Sequence, residues 1–217
     1  MFNRIIGRSS LYSAEMSVTP RQFEQMKARL GGARRTDTSA ANDRPAPVAL
    51  VNRIIIGVDP SLRGTGFGVI KMSRPQPVAL AHGTVVCPPT WEHSRCLLKI
   101  LETLRDVAAE YHPSVCAIEG LFFAQNLKTA LIMGEARGAA LAAMAAAGLD
   151  IFEIAPRKVK QAIVGYGAAR KEAVGKMVQR LLNLSTIPDP DAADALAIAL
   201  AHAWDAGRPG MGAPKKI

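Results

Sequence analysis

Long apolar runs are missing from this chain. The longest apolar stretch, Ala139 through Leu149, is too short to span a bilayer and has Arg137 at its edge. The opening Met1-Phe-Asn-Arg-Ile-Ile-Gly-Arg8 lacks the apolar centre of a signal peptide. Cysteine is scarce too. Cys87, Cys96 and Cys116 show neither CxxC spacing nor histidines at zinc-ligand intervals, and Cys116 sits in an apolar run as a small core residue. The expectation is a reduced protein of the cytoplasm, with no membrane role. An organelle-type presequence within residues 1–50 stays open, its Arg and Ser content set against Glu15 and Glu24. The four histidines, His82, His93, His112 and His202, form no metal-ligand cluster, and His202 reads as structural or supporting.

Acidic residues are in short supply, 18 Asp and Glu against 27 Lys and Arg, for a net charge of +9. With a pI near 9.8, the partner should be an anion, nucleic acid before membrane. Residues 1–50 carry eight basic against four acidic residues, and residues 51–204 carry 16 against 13. The folding part is thus only mildly basic, and any binding surface must be a local patch.

An apolar fraction of 49% is ample for a core. Residues 1–50 read as a basic, disordered extension with one short helix, Pro20 to Leu30, and a linker to Pro47. A single domain follows over 51–206, then a flexible tail over 207–217. Within the domain, apolar runs predict strands at 53–59, 67–72, 78–86, 115–119 and 151–154. Leu62-Arg63-Gly64-Thr65-Gly66 reads as a tight turn between the first two. Helical spacing predicts helices over 91–111, 125–147, 156–164, 169–182 and 191–206. The helix after Gln125 sets Leu127, Leu131, Gly134 and Gly138 on one side; small residues there suit a core helix or a subunit interface equally. Three strands first, then strands alternating with helices, argue an α/β fold with a mixed sheet covered by helices.

Against this scarcity of acid, four carboxylates stand out. Asp59 ends the run Ile54-Ile55-Ile56-Gly57-Val58, and Glu119 ends Val115-Cys116-Ala117-Ile118. Asp191 and Asp194 lie three apart at the start of the last helix, on one face. Each alone has an ordinary reading: Asp59 begins a turn, Glu119 makes a salt bridge, Asp191 caps a helix. Asp194, on an otherwise Ala/Leu/Ile helix, is harder to explain that way. Carboxylates from separate elements meeting at one point fit divalent ions for chemistry on phosphate. Nearby, Lys160 and Lys171 supply positive charge, the latter after Gly165-Tyr166-Gly167, where glycines let backbone approach phosphate. Arg157 and Lys158 read as a solvated face. Phe122-Phe123, after the Glu119 strand, can stack on or wedge between bases, or close the core under the loop.

Several strings in order, Ile56-Gly-Val-Asp59-Pro-Ser-Leu-Arg-Gly-Thr-Gly-Phe-Gly68, Ala117-Ile-Glu119-Gly-Leu-Phe-Phe-Ala-Gln-Asn126, Gly134-Glu-Ala-Arg-Gly138, Val159-Lys-Gln161, Val164-Gly-Tyr-Gly167 and Asp191-Ala-Ala-Asp-Ala-Leu-Ala-Ile-Ala199, resemble the RuvC family of Holliday-junction resolvases. The likeness runs from Ile54 to Trp204. It implies a ribonuclease-H-like mixed β-sheet flanked by α-helices, and a homodimer on four-way junction DNA. It also implies an endonuclease that nicks two strands of like polarity symmetrically in recombination and repair, leaving ligatable ends. By the same resemblance Asp59, Glu119, Asp191 and Asp194 are the metal-binding catalytic acids, holding Mg2+ (two per subunit, Mn2+ able to substitute). Lys160 and Lys171 lie near the scissile phosphate, Phe122 probes bases at the junction centre, and the small-residue helix joins the dimer interface. A branch-migration motor of the RuvAB type is the implied partner.

Two departures stand against the family pattern. Residues before Val51 have no usual bacterial counterpart, and Gly120 replaces a commonly polar side chain, which bears on junction contacts rather than on the metal site. Three other functions are weighed beside this one. A related nuclease cutting structured RNA is the nearest. A nucleotide-dependent phosphotransferase of the actin and sugar-kinase type shares the Asp and Gly-Thr-Gly turn but needs two such domains. A junction-binding protein without catalysis would lack at least one of the four acids.

Overall fold

A computed structural model describes residues 52–120, 126–205 and 214–217. The described strands are β1 (Ile54–Asp59), β2 (Gly64–Lys71), β3 (Val78–Val86), β4 (Val115–Glu119), β5 (Asp150–Ile154) and β6 (Lys215–Lys216). The described helices are α1 (His93–Tyr111), α2 (Leu127–Ala146), α3 (Pro156–Val164), α4 (Lys171–Leu181) and α5 (Pro190–Asp205). The strands form one mixed sheet in the order β3-β2-β1-β4-β5-β6. Pairing is antiparallel through β1, β2 and β3, parallel from β1 to β4 to β5, and antiparallel again at β6. This is the expected mixed sheet flanked by helices. The short strand β6 lies inside the segment expected as a tail, its pairing to β5 extended by the Ile217 amide donating to the Ile151 carbonyl.

Alternation along β1 and β4 divides the core in two. Ile55 and Ala117 join Ile154, Val178, Leu196 and Leu200 in a layer with α3, α4 and α5. Ile56, Val58, Cys116 and Ile118 face the other way, onto Ile100 and Leu104 of α1 and Ala140 and Met144 of α2. The three cysteines are free and buried, as a disulfide-free core requires. No helix among the described residues is long and apolar enough to cross a membrane.

Local signals explain the helices. In α1, Cys96, Ile100, Leu104, Val107 and Ala108 recur at helical spacing on the buried side. Asn126 caps α2, its side-chain oxygen accepting from the Thr129 amide at 2.8 Å. Pro156 opens α3 at a position where its missing N–H costs nothing, and Gly165, with φ 95°, closes it. In α2 the buried side is Ala136, Arg137, Ala140, Ala143 and Met144. The opposite side, expected as core or interface, is not core: Leu127 is 75% and Leu131 59% exposed. A Cβ added at Gly134 or Gly138 would meet nothing within 4 Å.

The expected turn at 62–66 is the one clear misreading of local structure. Gly64 to Gly66 already belong to β2, paired with Val86 to Thr84 of β3. Their glycines serve a close approach rather than a bend. A Cβ at Gly66 would stand 2.0 Å from the Asp191 carbonyl oxygen, one at Gly57 2.0 Å from that of Ala195, and one at Gly68 2.9 Å from the Leu196 amide nitrogen. Helix α5 therefore lies backbone to backbone on β1 and β2, which any side chain at these positions would prevent.

Candidate active site

That close seat of α5 brings the four acids to one place. Val58 and Ile118 are partners in the parallel β1–β4 pairing, so Asp59 and Glu119 follow side by side at the ends of neighbouring strands. By alternation both point to the face that α5 covers. Asp59 pairs with Gly66, over which the Asp191 backbone rests, and the Asp191 carboxylate lies over Gly64. One turn along, Asp194 accepts a 2.7 Å contact from Lys171 Nζ at the start of α4.

The electrostatics follow from the crowding. Asp59 and Glu119 lie close enough for each to act on the other's proton affinity. Burial, then the Asp194 charge, pushes Asp59 up to about 6. Burial, then the Asp59 charge, pushes Glu119 up to about 8. Lys171 is raised by its bond to Asp194. Two unit charges 4 Å apart repel by about 4 kcal/mol at an effective dielectric of 20. A group of four such carboxylates cannot all be ionised unless cations stand among them. The Lys171 ammonium, bonded to Asp194, supplies one such charge here. Among the described residues no group of three His, Cys, Asp or Glu side chains is placed to hold a metal ion. The donor set nevertheless fits a hard divalent cation: oxygen ligands only, from three separate elements, with an electrostatic deficit that positive charge relieves.

Two supports were not apparent from the sequence. Thr65, fully buried, holds the loop after Asp59: its hydroxyl accepts from the Ser61 amide at 3.1 Å and donates to the Ser61 carbonyl at 2.6 Å. Arg137, only 8% exposed, donates to the Glu119 carbonyl at 3.2 Å and pairs with Glu153 on β5. It ties β4, β5 and α2 together directly behind the carboxylates. A buried arginine in the small-residue string Gly134-Glu-Ala-Arg-Gly138 was the available signal.

The other predicted residues divide. Lys171 touches the acids; Lys160 is half-buried on α3, and the lysine charge felt by Asp59 and Glu119 is that of Lys171. Phe122 and Phe123 lie outside the described residues. His202 is buried on α5 against Phe152, with ring centroids 4.8 Å apart, and takes no part in the acid group.

Comparison with known proteins adds to this geometry. The sequence profile of the family described as "Crossover junction endodeoxyribonuclease RuvC" matches residues 55–202. A Bordetella parapertussis protein of that name is 48% identical over 149 residues, spanning 69% of this chain and 82% of its own length. Its namesake in Geobacter metallireducens is 45% identical over 153 residues, spanning 70% of this chain and 93% of its own. The structure of Thermus thermophilus RuvC in complex with a Holliday junction substrate superposes with a TM-score of 0.69 at 34% identity, covering 76% of this chain and 99% of that one.

Proposed function

Because the chain belongs to the RuvC family of crossover junction endodeoxyribonucleases, we infer that it resolves four-way DNA junctions, hydrolysing phosphodiester bonds at the group formed by Asp59, Glu119, Asp191 and Asp194. Nucleases of this family are metal-dependent, and the reading extends to Mg2+, two ions per subunit, held by these four carboxylates. When bound, such ions supply a Lewis acid for the scissile phosphate and make water a stronger nucleophile. The observation that carries the reading is the convergence of the four acids with Lys171 at the ends of two central strands, under α5.

The chain's own groups have definite tasks. Asp59 and Glu119, fixed by neighbouring strands, hold the far side of the site in a stable frame, because β1 and β4 are central strands. Asp191 and Asp194 close it from the helix. Lys171 neutralises Asp194 and, with cations held at the acids, would be free to face a phosphate oxygen. Thr65 and Arg137 keep the two strand ends in register. Precise placement matters, since a 1 Å error in a reacting group costs about 10²-fold in rate.

A dimer gives paired nicks, one site for each half of a two-fold substrate. The Leu127, Leu131, Gly134 and Gly138 side of α2 supports that role: both leucines are exposed, and a Cβ at either glycine would meet nothing within 4 Å. A branch-migration motor of the RuvAB type and a cytoplasmic setting complete the reading, as do Phe122 and Lys160 as DNA contacts. The test is incubation with a synthetic mobile four-way junction, with and without Mg2+, mapping nicks on all four strands. Paired symmetric nicks that require the metal are expected. Random nicking, or preferential cutting of structured RNA, would overturn the reading.

A further inference from the structure

Between α3 and the body of α4 the chain runs from Gly165 to Lys176, and the chemistry above uses only Lys171 from it. An open groove of about 660 Å3 lies here, lined by Tyr166, Ala168, Arg170, Glu172, Ala173 and Lys176. The groove is open to solvent rather than enclosed, so it can accommodate part of a longer chain without surrounding it. Two cations face one carboxylate, and neither Arg170 nor Lys176 enters a salt bridge among the described residues. None of the four acids lines the groove; its link to them is Arg170, the chain neighbour of the Lys171 that bonds Asp194.

Tyr166 is 56% exposed, yet its backbone is tightly placed. Gly165 before it has φ 95°, a left-handed conformation that a side chain resists. Gly167 after it is pressed against the Arg157 side chain, where a Cβ would lie 2.5 Å from Cγ. An aromatic ring is thus held out in water between two glycine-dependent positions, beside a pair of cations. That combination of ring face and positive charge matches a nucleic-acid strand and is poorly suited to an apolar partner.

We propose that this groove carries the strand being cut, next to its scissile bond, with one base stacked on Tyr166 and flanking phosphates on Arg170 and Lys176. The proposal rests on the nuclease reading and deepens it by assigning a strand-binding subsite. Stacking accepts any base, since every base has a π-face, so the subsite contributes affinity and strand alignment rather than sequence preference. Glu172, the one acid in the lining, keeps phosphates to the Arg170 and Lys176 sides.

The experiment uses the full-length chain and a four-way junction bearing 2-aminopurine at nucleotides flanking the mapped nick. Binding of the native protein should change 2-aminopurine emission at one of these positions. Tyr166→Ser should weaken junction binding about ten-fold, the scale of a lost stacking contact, and remove that signal. Tyr166→Phe should keep both. Arg170→Gln and Lys176→Gln should each lower the slope of log affinity against log salt by about one. Native affinity and native emission in Tyr166→Ser, or native salt slopes in both glutamine variants, would overturn the proposal. The variants' thermal unfolding, compared with native, separates these losses from misfolding, because Tyr166→Phe and the two exposed-cation variants leave the core intact. If the native protein leaves the junction uncut, the nuclease reading fails; if it cuts and Tyr166→Ser binds like native, only the groove assignment fails.

Discussion

Gly57→Ala is the perturbation that bears most on how this fold makes its site. Gly57 lies on the β1 face covered by α5, two residues before Asp59 and buried under that helix. Its added Cβ would sit 2.0 Å from the Ala195 carbonyl oxygen and 2.8 Å from the Ala199 amide nitrogen. Ordinary contact needs roughly 3.4 Å or more, so the helix must retreat by about 1.4 Å or β1 must deform. Neither neighbour is a flexible side-chain tip that could swing aside. Overpacking of this kind costs about 1–3 kcal/mol, lowering Tm by several degrees in a domain of this size. The larger effect should fall on catalysis. Asp191 and Asp194 ride on α5 while Asp59 and Glu119 do not, so a shift above 1 Å opens the acid group and should reduce single-turnover junction cleavage about 10²-fold. Junction affinity should change little, because the surface cations are untouched. The assays are thermal unfolding, electrophoretic binding and quenched-flow cleavage on one preparation. Native Tm with native cleavage would refute the claim that backbone contact between β1 and α5 sets the site.

Other predictions address separate parts of the account. Leu131→Glu, on the exposed side of α2, should convert a dimer to monomer in sedimentation while leaving circular dichroism unchanged; a persisting dimer would place the interface elsewhere. Thr65→Val removes both bonds to Ser61 and should cost about 1–2 kcal/mol in denaturant unfolding, with a fall in cleavage from the loosened Asp59 loop. Burial, then the Arg53 charge, lowers His202 to about 4 from an ordinary 6.5, and its buried Nδ1 has no hydrogen-bond partner. Between those values the unfolded chain binds a proton that the folded one refuses. Stability should therefore be intact above pH 6.5, fall by up to about 3 kcal/mol as pH drops toward 4, and flatten below. His202→Leu should lose that part of the acid limb in a pH series of melts.

Much of this was legible because it depends on short-range pattern. Apolar runs ending in an acid gave β1 with Asp59 and β4 with Glu119, and their boundaries differ from expectation by a residue or less. The three-residue spacing of Asp191 and Asp194 gave their common helix face. What was illegible depends on a partner distant in sequence. Gly64, Gly66 and Gly68 look the same in a turn as under a closely packed helix, and only the presence of Asp191 and Leu196 above them distinguishes the two. The α2 side of Leu127 and Leu131 has the same composition as a core face, and exposure alone decides against that. Lys160 and Lys171 both follow glycine or helix signals, yet only the fold reveals which reaches Asp194. Arg137 passed as a charge at the edge of an apolar stretch because its acceptors, the Glu119 carbonyl and Glu153, come from two other elements.

The claim underlying all of this is tested most directly by replacing one acid from each side of the site. Asp59→Asn and Asp194→Asn, each assayed with a four-way junction under single turnover in Mg2+, should bind with native affinity and lose at least about 10³-fold in cleavage rate. Metal-dependent nicking close to the native rate in either purified variant would contradict it.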